Sequence, residues 1–196
     1  MFATSLNAPL LKVVGYGCFQ NTMIDKIDLP SVEIIEDVGF GGSFYATEIN
    51  IPMVQVIGDS AFQNAELVET LTLNEVKSIG SLCFYDCAKL KDVYITTDWV
   101  PEAGHDIFMN TPMDTADSVT GEIEGKIYVQ GRLVDKFKEA EGWSTYENCI
   151  VAIPGTEISA ELPSTSIADA GKVLKVDASG NWAKGEDNST IYWKSF

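Results

Sequence analysis

Short apolar phrases alternate with polar ones along this chain, and the phrases recur. Phe19, Phe40, Phe62, Phe84 and Phe108 stand 21, 22, 22 and 24 residues apart. Each closes a comparable run: VVGYGCF, IIEDVGF, VIGDSAF, SIGSLCF and EAGHDIF. Five residues before each Phe comes Val14, Ile35, Ile57, Ile79 or Ala103, and eight before comes Leu11, Val32, Val54, Val76 or Val100. Nine and eleven residues after Phe stand Ile49 and Ile51, Leu71 and Leu73, Val93 and Ile95; the first unit is one residue short, which puts Ile27 and Leu29 there. Self-similarity at this period marks stacked repeats, because so small a unit cannot bury its own apolar face.

The runs Ile49-Asn50-Ile51, Leu71-Thr72-Leu73 and Val93-Tyr94-Ile95 alternate with period two, so each predicts a short strand with one face inward. Pro30 and Pro52 follow two of these strands, where a missing N–H ends the ladder. Stacking sets the strands side by side as a parallel sheet, with the Phe column as an inner spine on the opposite side. Each buried Phe or Leu contributes about 1.5–3 kcal/mol, a gain that only a continuous stack realises. Residues between the inward ones project from the sheet. They form two columns, Lys26, Glu48, Thr70, Asp92 and Asp28, Asn50, Thr72, Tyr94, which make the candidate binding face.

These residues resemble the BspA-like leucine-rich repeats, most closely in IGDSAFQNAELVETLTL (57–73) and IGSLCFYDCAKLKDVYI (79–95). Cys87 fills the small buried position three after Phe; Thr22, Ser43 and Ala65 fill it elsewhere. The resemblance covers about residues 8–112 and implies a leucine-rich-repeat solenoid used for adhesion and recognition. The fifth unit is degenerate, with Ala103 and His105 at its aliphatic and Asp-like positions, and reads as the last turn. Met1 already stands inside the pattern with no polar capping repeat. Either residues 1–10 cover the first edge, or another chain does, or the sequence is the C-terminal part of something longer.

Residues 111–125 are polar and Gly-containing, a loop or the insertion that breaks the repeat, and Lys126–Val129 is another alternating strand. RLVDKFKEAEGW spaces Leu133, Phe137 and Ala140 with Val134 as a helix does, and Gly142 is its expected C-cap. Residues 126–154 resemble the strand–helix segment that closes BspA-like repeats, which implies that this helix and Trp143 cover the open end. Trp143 and Tyr146 are expected as core aromatics.

Pro154-Gly155 marks a boundary. Beyond it Val173, Leu174 and Val176 predict a strand, Asp177–Gly180 a turn, and Asn181–Trp182 the start of a return strand. A tail with so few apolar side chains is marginal alone and is expected to pack on the solenoid, on copies of itself or on a larger assembly. Leu162-Pro163, the run DAGKVLKVD (169–177), Gly180 and Trp182 resemble a short module of bacteriophage virion proteins. That resemblance implies a tail, fibre or head-appendage chain and assigns no chemistry.

Composition narrows the function. The formal charge is −16, with 5 basic against 15 acidic groups in residues 1–110 and 8 against 14 in the remainder. Acidic surface on both parts argues against nucleic-acid and anionic-membrane partners, which need basic patches. No apolar run is long enough to span a membrane. MFATSLNAPLLKVV lacks a signal-peptide pattern, so action where the chain is made, or release by lysis, is expected. Cys18, Cys83, Cys87 and Cys149 lack metal-ligand spacing and read as buried free thiols. His105 is the one histidine, expected in a loop or on the surface, and no catalytic or metal-binding motif accompanies it.

The expected fold is mostly β with short helices. A leucine-rich-repeat solenoid of parallel strands (1–112) precedes a strand–helix cap (113–154) and a small β-hairpin assembly module (155–196). The expected function is non-enzymatic, without cofactor or metal: a structural or adhesion component of a bacteriophage virion. Its partners would be other virion proteins or copies of itself, with a host-surface protein or glycan as receptor. The alternative is a bacterial cell-surface or secreted adhesin whose signal peptide lies outside this numbering.

Overall fold

A computed structural model describes residues 5–116 and 122–156, together with the backbone of 173–176 and 182–185. The chain forms two compact units, Met1–Glu157 and Ile158–Phe196. Unit one is a solenoid in which each coil contributes two short strands. The first coil gives β1 (Ser5–Asn7) and β2 (Val13–Val14), the second β3 (Lys26–Asp28) and β4 (Ile34–Ile35), the third β5 (Glu48–Asn50) and β6 (Val56–Ile57). The fourth gives β7 (Thr70–Leu73) and β8 (Ser78–Ile79), and the fifth β9 (Asp92–Ile95) and β10 (Glu102–Ala103). β11 (Lys126–Val129) and β12 (Ile150–Ala152) follow, with the short helix α1 (Val134–Glu139) between them, flanked by 3-10 turns at Gly131–Leu133 and Ser144–Tyr146.

All strand pairs in this unit are parallel and join equivalent positions of successive coils. One face carries the odd-numbered strands of the five coils, then β11 and β12; the other carries β2, β4, β6, β8 and β10. The first face is broken into two ladders, β1-β3-β5 and β7-β9-β11-β12. Between the faces the five Phe rings stack in one column, with centroids 5.1, 5.4, 5.7 and 5.5 Å apart and interplanar angles of 4–11°. Phe40, Phe62, Phe84 and Phe108 are fully buried, and Phe19, in the end coil, partly so. Offset or parallel ring contacts add to the area each ring buries.

Hydrogen bonds repeat with the same period. The N–H groups of Phe19, Phe40, Phe62 and Phe84 donate to the carbonyls of Gly39, Ala61, Cys83 and Ile107 in the next coil, at 2.8–2.9 Å. Three residues after Phe, the hydroxyls of Thr22, Ser43 and Thr111 donate back to Phe carbonyls, while the Cys87 thiol reaches the Phe62 carbonyl. A small donor at that position satisfies a buried carbonyl, and where Ala65 stands there without one, the Phe62 carbonyl accepts from the Cys87 thiol of the next coil at 3.3 Å. Each coil turns through left-handed residues two before and two after Phe, among them Val38 (φ 56°), Leu82 (φ 54°), Asn64 (φ 61°) and Asn110 (φ 59°).

The stack does not stop at the fifth unit, as its degenerate sequence suggested. Despite the long segment after Phe108, β11 still pairs with β9 in register, Ile127 against Val93 and Val129 against Ile95. β12 adds a further rung on β11. Solenoid pairing is set by strand register, so one coil can carry an insertion without ending the ladder. The closing coil buries Leu133, Phe137, Trp143 and Tyr146. Gly142 is not the helix C-cap: α1 ends at Glu139 with Ala140 extended. Gly142 serves the turn beyond, at φ 77°, where an added Cβ would lie 2.5 Å from the Ala103 carbonyl oxygen.

Cys83, Cys87 and Cys149 are buried, but Cys18 is exposed, contrary to expectation. Its column is interior in later coils, where Ala61, Cys83 and Ile107 are fully buried. In the end coil no further described coil lies over it.

In the second unit, β13 (Val173–Val176) and β14 (Trp182–Gly185) pair antiparallel as the expected hairpin. The Asp177–Gly180 turn, Asn181, and the residues resembling a virion module at 162–172 lie outside the described residues, as do residues 1–4.

Candidate functional site

The outward residues of the first face form two rows in strand register. One runs Ser5, Lys26, Glu48, then Thr70, Asp92, Lys126. The other runs Asn7, Asp28, Asn50, then Thr72, Tyr94, Tyr128 and Val151. All eight residues expected on this face therefore lie on it, but the two halves differ in chemistry.

In the first half the polar groups satisfy one another. Lys26 Nζ bonds Glu48 Oε1 at 2.6 Å, and that carboxylate raises the ammonium pKa by hydrogen bonding and by its charge. Asp28 accepts from the side-chain amides of Asn7 and Asn50, each at 2.7 Å. Groups held in such a ladder must break these bonds before meeting a ligand.

The second half is freer and aromatic. Tyr94 and Tyr128 stack with centroids 4.5 Å apart and an interplanar angle of 8°. Partial burial, then the neighbouring Asp92 carboxylate, raises the Tyr128 phenol pKa. Thr70 and Thr72 are exposed beside the pair, and Asp92 and Lys126 are half-buried. Ion pairs Lys91–Glu124 (2.5 Å) and Arg132–Asp98 stand beyond the rows. Two phenols, two threonine hydroxyls, one carboxylate and one ammonium offer donors, acceptors and apolar ring surface within a few rungs, a composition suited to reversible recognition.

Tyr128 is the residue that repeat counting missed, because the insertion after Phe108 displaces it from the 22-residue period. Its signal is local: KIYV (126–129) carries the same alternation as DVYI (92–95).

The groups considered for chemistry sit apart from this face. His105 is exposed and bonds its neighbour Asp106 at 3.1 Å. Burial raises the pKa of Cys83, of Cys87 to about 12, and of Cys149, so these thiols stay protonated and unreactive. Among the described residues no three His, Cys, Asp or Glu side chains are grouped to hold a metal ion, and no helix is long and apolar enough to cross a membrane.

Residues 12–124 match, in six copies, a family described as the BspA type leucine rich repeat region. No curated protein matches the chain.

Proposed function

The chain belongs to the BspA-type leucine-rich repeat family, and from that premise we propose that it is a non-enzymatic binding protein whose contact surface is the face bearing Thr70, Thr72, Asp92, Tyr94 and Tyr128. Family membership supports a repeat-based protein-interaction or adhesion role. The observation that carries the choice of surface is the Tyr94–Tyr128 stack on the outer side of the sheet. The stack contributes to the sheet as a cross-strand aromatic pair, and it also leaves two half-buried phenols on the outer side, where aromatic residues of this kind are what binding surfaces concentrate. The purified chain, labelled and incubated with bacterial cells, tests the reading. Tyr94→Ala with Tyr128→Ala is expected to lower retention by about tenfold or more, as loss of a binding centre does. Unchanged retention, with wild-type retention measurable, contradicts it.

The finer reading is a virion component of a bacteriophage, an appendage, fibre or decoration chain. The solenoid would face outward and the segment 155–196 would assemble with copies of itself or other structural proteins. Its support is the resemblance of residues 162–182 to a virion module. The second reading is a bacterial cell-surface or secreted adhesin, supported by the family, whose members are often surface or secreted. Genes flanking this one separate the two: capsid and tail genes support the first, transporter and sortase genes the second. A free monomer absent from purified particles removes the first.

A further inference from the structure

The break in the first face is a structural feature in its own right. In neighbouring rungs the amide of Lys91 donates to the Glu69 carbonyl at 2.9 Å and that of Thr47 to the Asp25 carbonyl at 2.8 Å. The corresponding bond from the Glu69 amide to the Thr47 carbonyl is not formed, and β5 and β7 belong to separate ladders. A groove of about 470 Å³ opens along this seam. Thr47, Glu48 and Ile49 line it from one coil and Leu67, Glu69 and Thr70 from the next, with Lys89 of the following coil as the one cation in the lining, set against Glu48 and Glu69. Ile49 is only partly buried there, as is Leu6 of the end coil, whereas Ile27, Leu71, Val93 and Ile127 in the same row are at most 1% exposed.

Apolar surface continues away from the groove. Met23, Phe44 and Tyr45, which occupy the same turn in the coils before Leu67, are 72%, 41% and 45% exposed. Carboxylates border this strip. Glu66 and Glu69 are exposed, and neither makes an ion pair among the described residues. One coil below, Asp25 Oδ1 is buried without a hydrogen-bond partner. An apolar strip edged by unpaired acids, on a chain of charge −16, complements a surface that is apolar and basic. It disfavours an acidic peptide or a nucleic acid.

We propose that the seam groove docks an extended segment of a partner protein that carries alternating apolar and basic side chains. The apolar side chains would cover Ile49 and Leu67, and the basic ones would pair with Glu69 and Glu66. This rests on the interaction role set out above but assigns the contact to different residues from the tyrosine pair.

The test uses the full chain and three synthetic octapeptides, alternating Leu/Arg, Leu/Glu and Ser/Arg, with binding read by fluorescence anisotropy. The Leu/Arg peptide is expected to bind at least about tenfold more tightly than the other two, and more weakly as salt rises from about 50 to about 300 mM. Glu69→Lys is expected to cost about tenfold, against less than about twofold for Glu75→Lys, an equal change of charge at an exposed site off the groove. Leu67→Ser is expected to weaken binding of the Leu/Arg peptide while its own thermal midpoint stays within a few degrees of the parent chain's, about what loss of one half-buried side chain allows. Equal losses from Glu69→Lys and Glu75→Lys, or no binding of any peptide, overturn the proposal. If Tyr94→Ala with Tyr128→Ala abolishes cell retention while Glu69→Lys leaves both assays unchanged, the groove assignment fails and the tyrosine-face reading stands.

Discussion

The hydroxyl of Tyr146 accepts the backbone N–H of Phe108 at 3.0 Å, in the place where every earlier Phe amide finds a carbonyl of the next coil. A side chain thus supplies the acceptor that a further repeat would have supplied. The same ring stands edge-on to Phe108, centroids 5.4 Å apart at 82°, so it also ends the ring column. Trp143 completes the closure by donating Nε1–H to the Pro101 carbonyl at 2.7 Å. Tyr146→Phe keeps the ring and removes the acceptor. It is expected to lower unfolding stability by about 1–3 kcal/mol in urea titration, the cost of an unsatisfied buried amide. An unchanged midpoint would mean that Phe108 N–H is satisfied some other way.

Stability is also expected to fall at alkaline pH. Burial raises the Tyr146 phenol to about 12 from its ordinary 10.0, raises the Cys87 thiol to about 12 from 9.0, and raises Cys83 well above 9.0. The folded state holds these protons more tightly than the unfolded chain. The associated stability is therefore complete below pH 9 and is lost as pH climbs from there towards 12. Urea midpoints across that range should decline, and less steeply in Cys87→Ala, whose side chain fits a position that Ala65 fills in the preceding coil. A flat profile in the parent chain contradicts the burial of these groups.

Thiol accessibility should divide the cysteines one against three. Cys18 alone is exposed, and Cys83, Cys87 and Cys149 are buried. Titration with a chromogenic disulfide reagent is expected to consume one equivalent per native chain and four after denaturation. Cys18→Ser should abolish the native reaction. Fast reaction of Cys83 or Cys87 in the native chain would place their columns outside the core.

What could be read in the sequence follows from what repeats. The Phe column, the strands at 48–50, 70–73 and 92–95, and the outward rows they generate were legible because each recurs in register and burial acts on every copy alike. The second sheet was not, because its strands are two residues long and Val13, Ile34 and Val56 leave its outer side apolar, which hides the alternation. Cys18 was misjudged because a column's burial depends on its neighbour coil and not on its own residue. The seam at β5 and β7 has no counterpart in the pattern, since Glu48 and Thr70 keep the regular spacing. Tyr128 needed the closing strand to be aligned locally with β9.

Two substitutions probe the turns. Val38 holds φ 56°, where Gly17 stands in the first coil. A β-branched residue there costs about 1–2 kcal/mol, so Val38→Gly is expected to raise stability by about 0.5–1 kcal/mol after the entropy of glycine is counted. At Gly80 the opposite holds. A Cβ would strike the Asp59 amide, beside the carboxylate that accepts the Ser81 N–H at 2.7 Å. Gly80→Ala is expected to destabilise by about 1–3 kcal/mol, as overpacking does. Urea midpoints moving the other way would show that the turns differ from this geometry.

Coils that hold one another up through stacked rings should be coupled energetically only to their neighbours. The most direct measurement is a double-mutant cycle on Phe62 and Phe84, whose centroids lie 5.7 Å apart, with Phe40 and Phe84 as the non-adjacent control. Substituting each with Leu, the adjacent pair is expected to show a coupling of about 0.5–1.5 kcal/mol, and the control pair additivity within about 0.3–0.5 kcal/mol. Additivity for Phe62 and Phe84, or equal coupling in both cycles, would contradict a column of rings stacked coil upon coil.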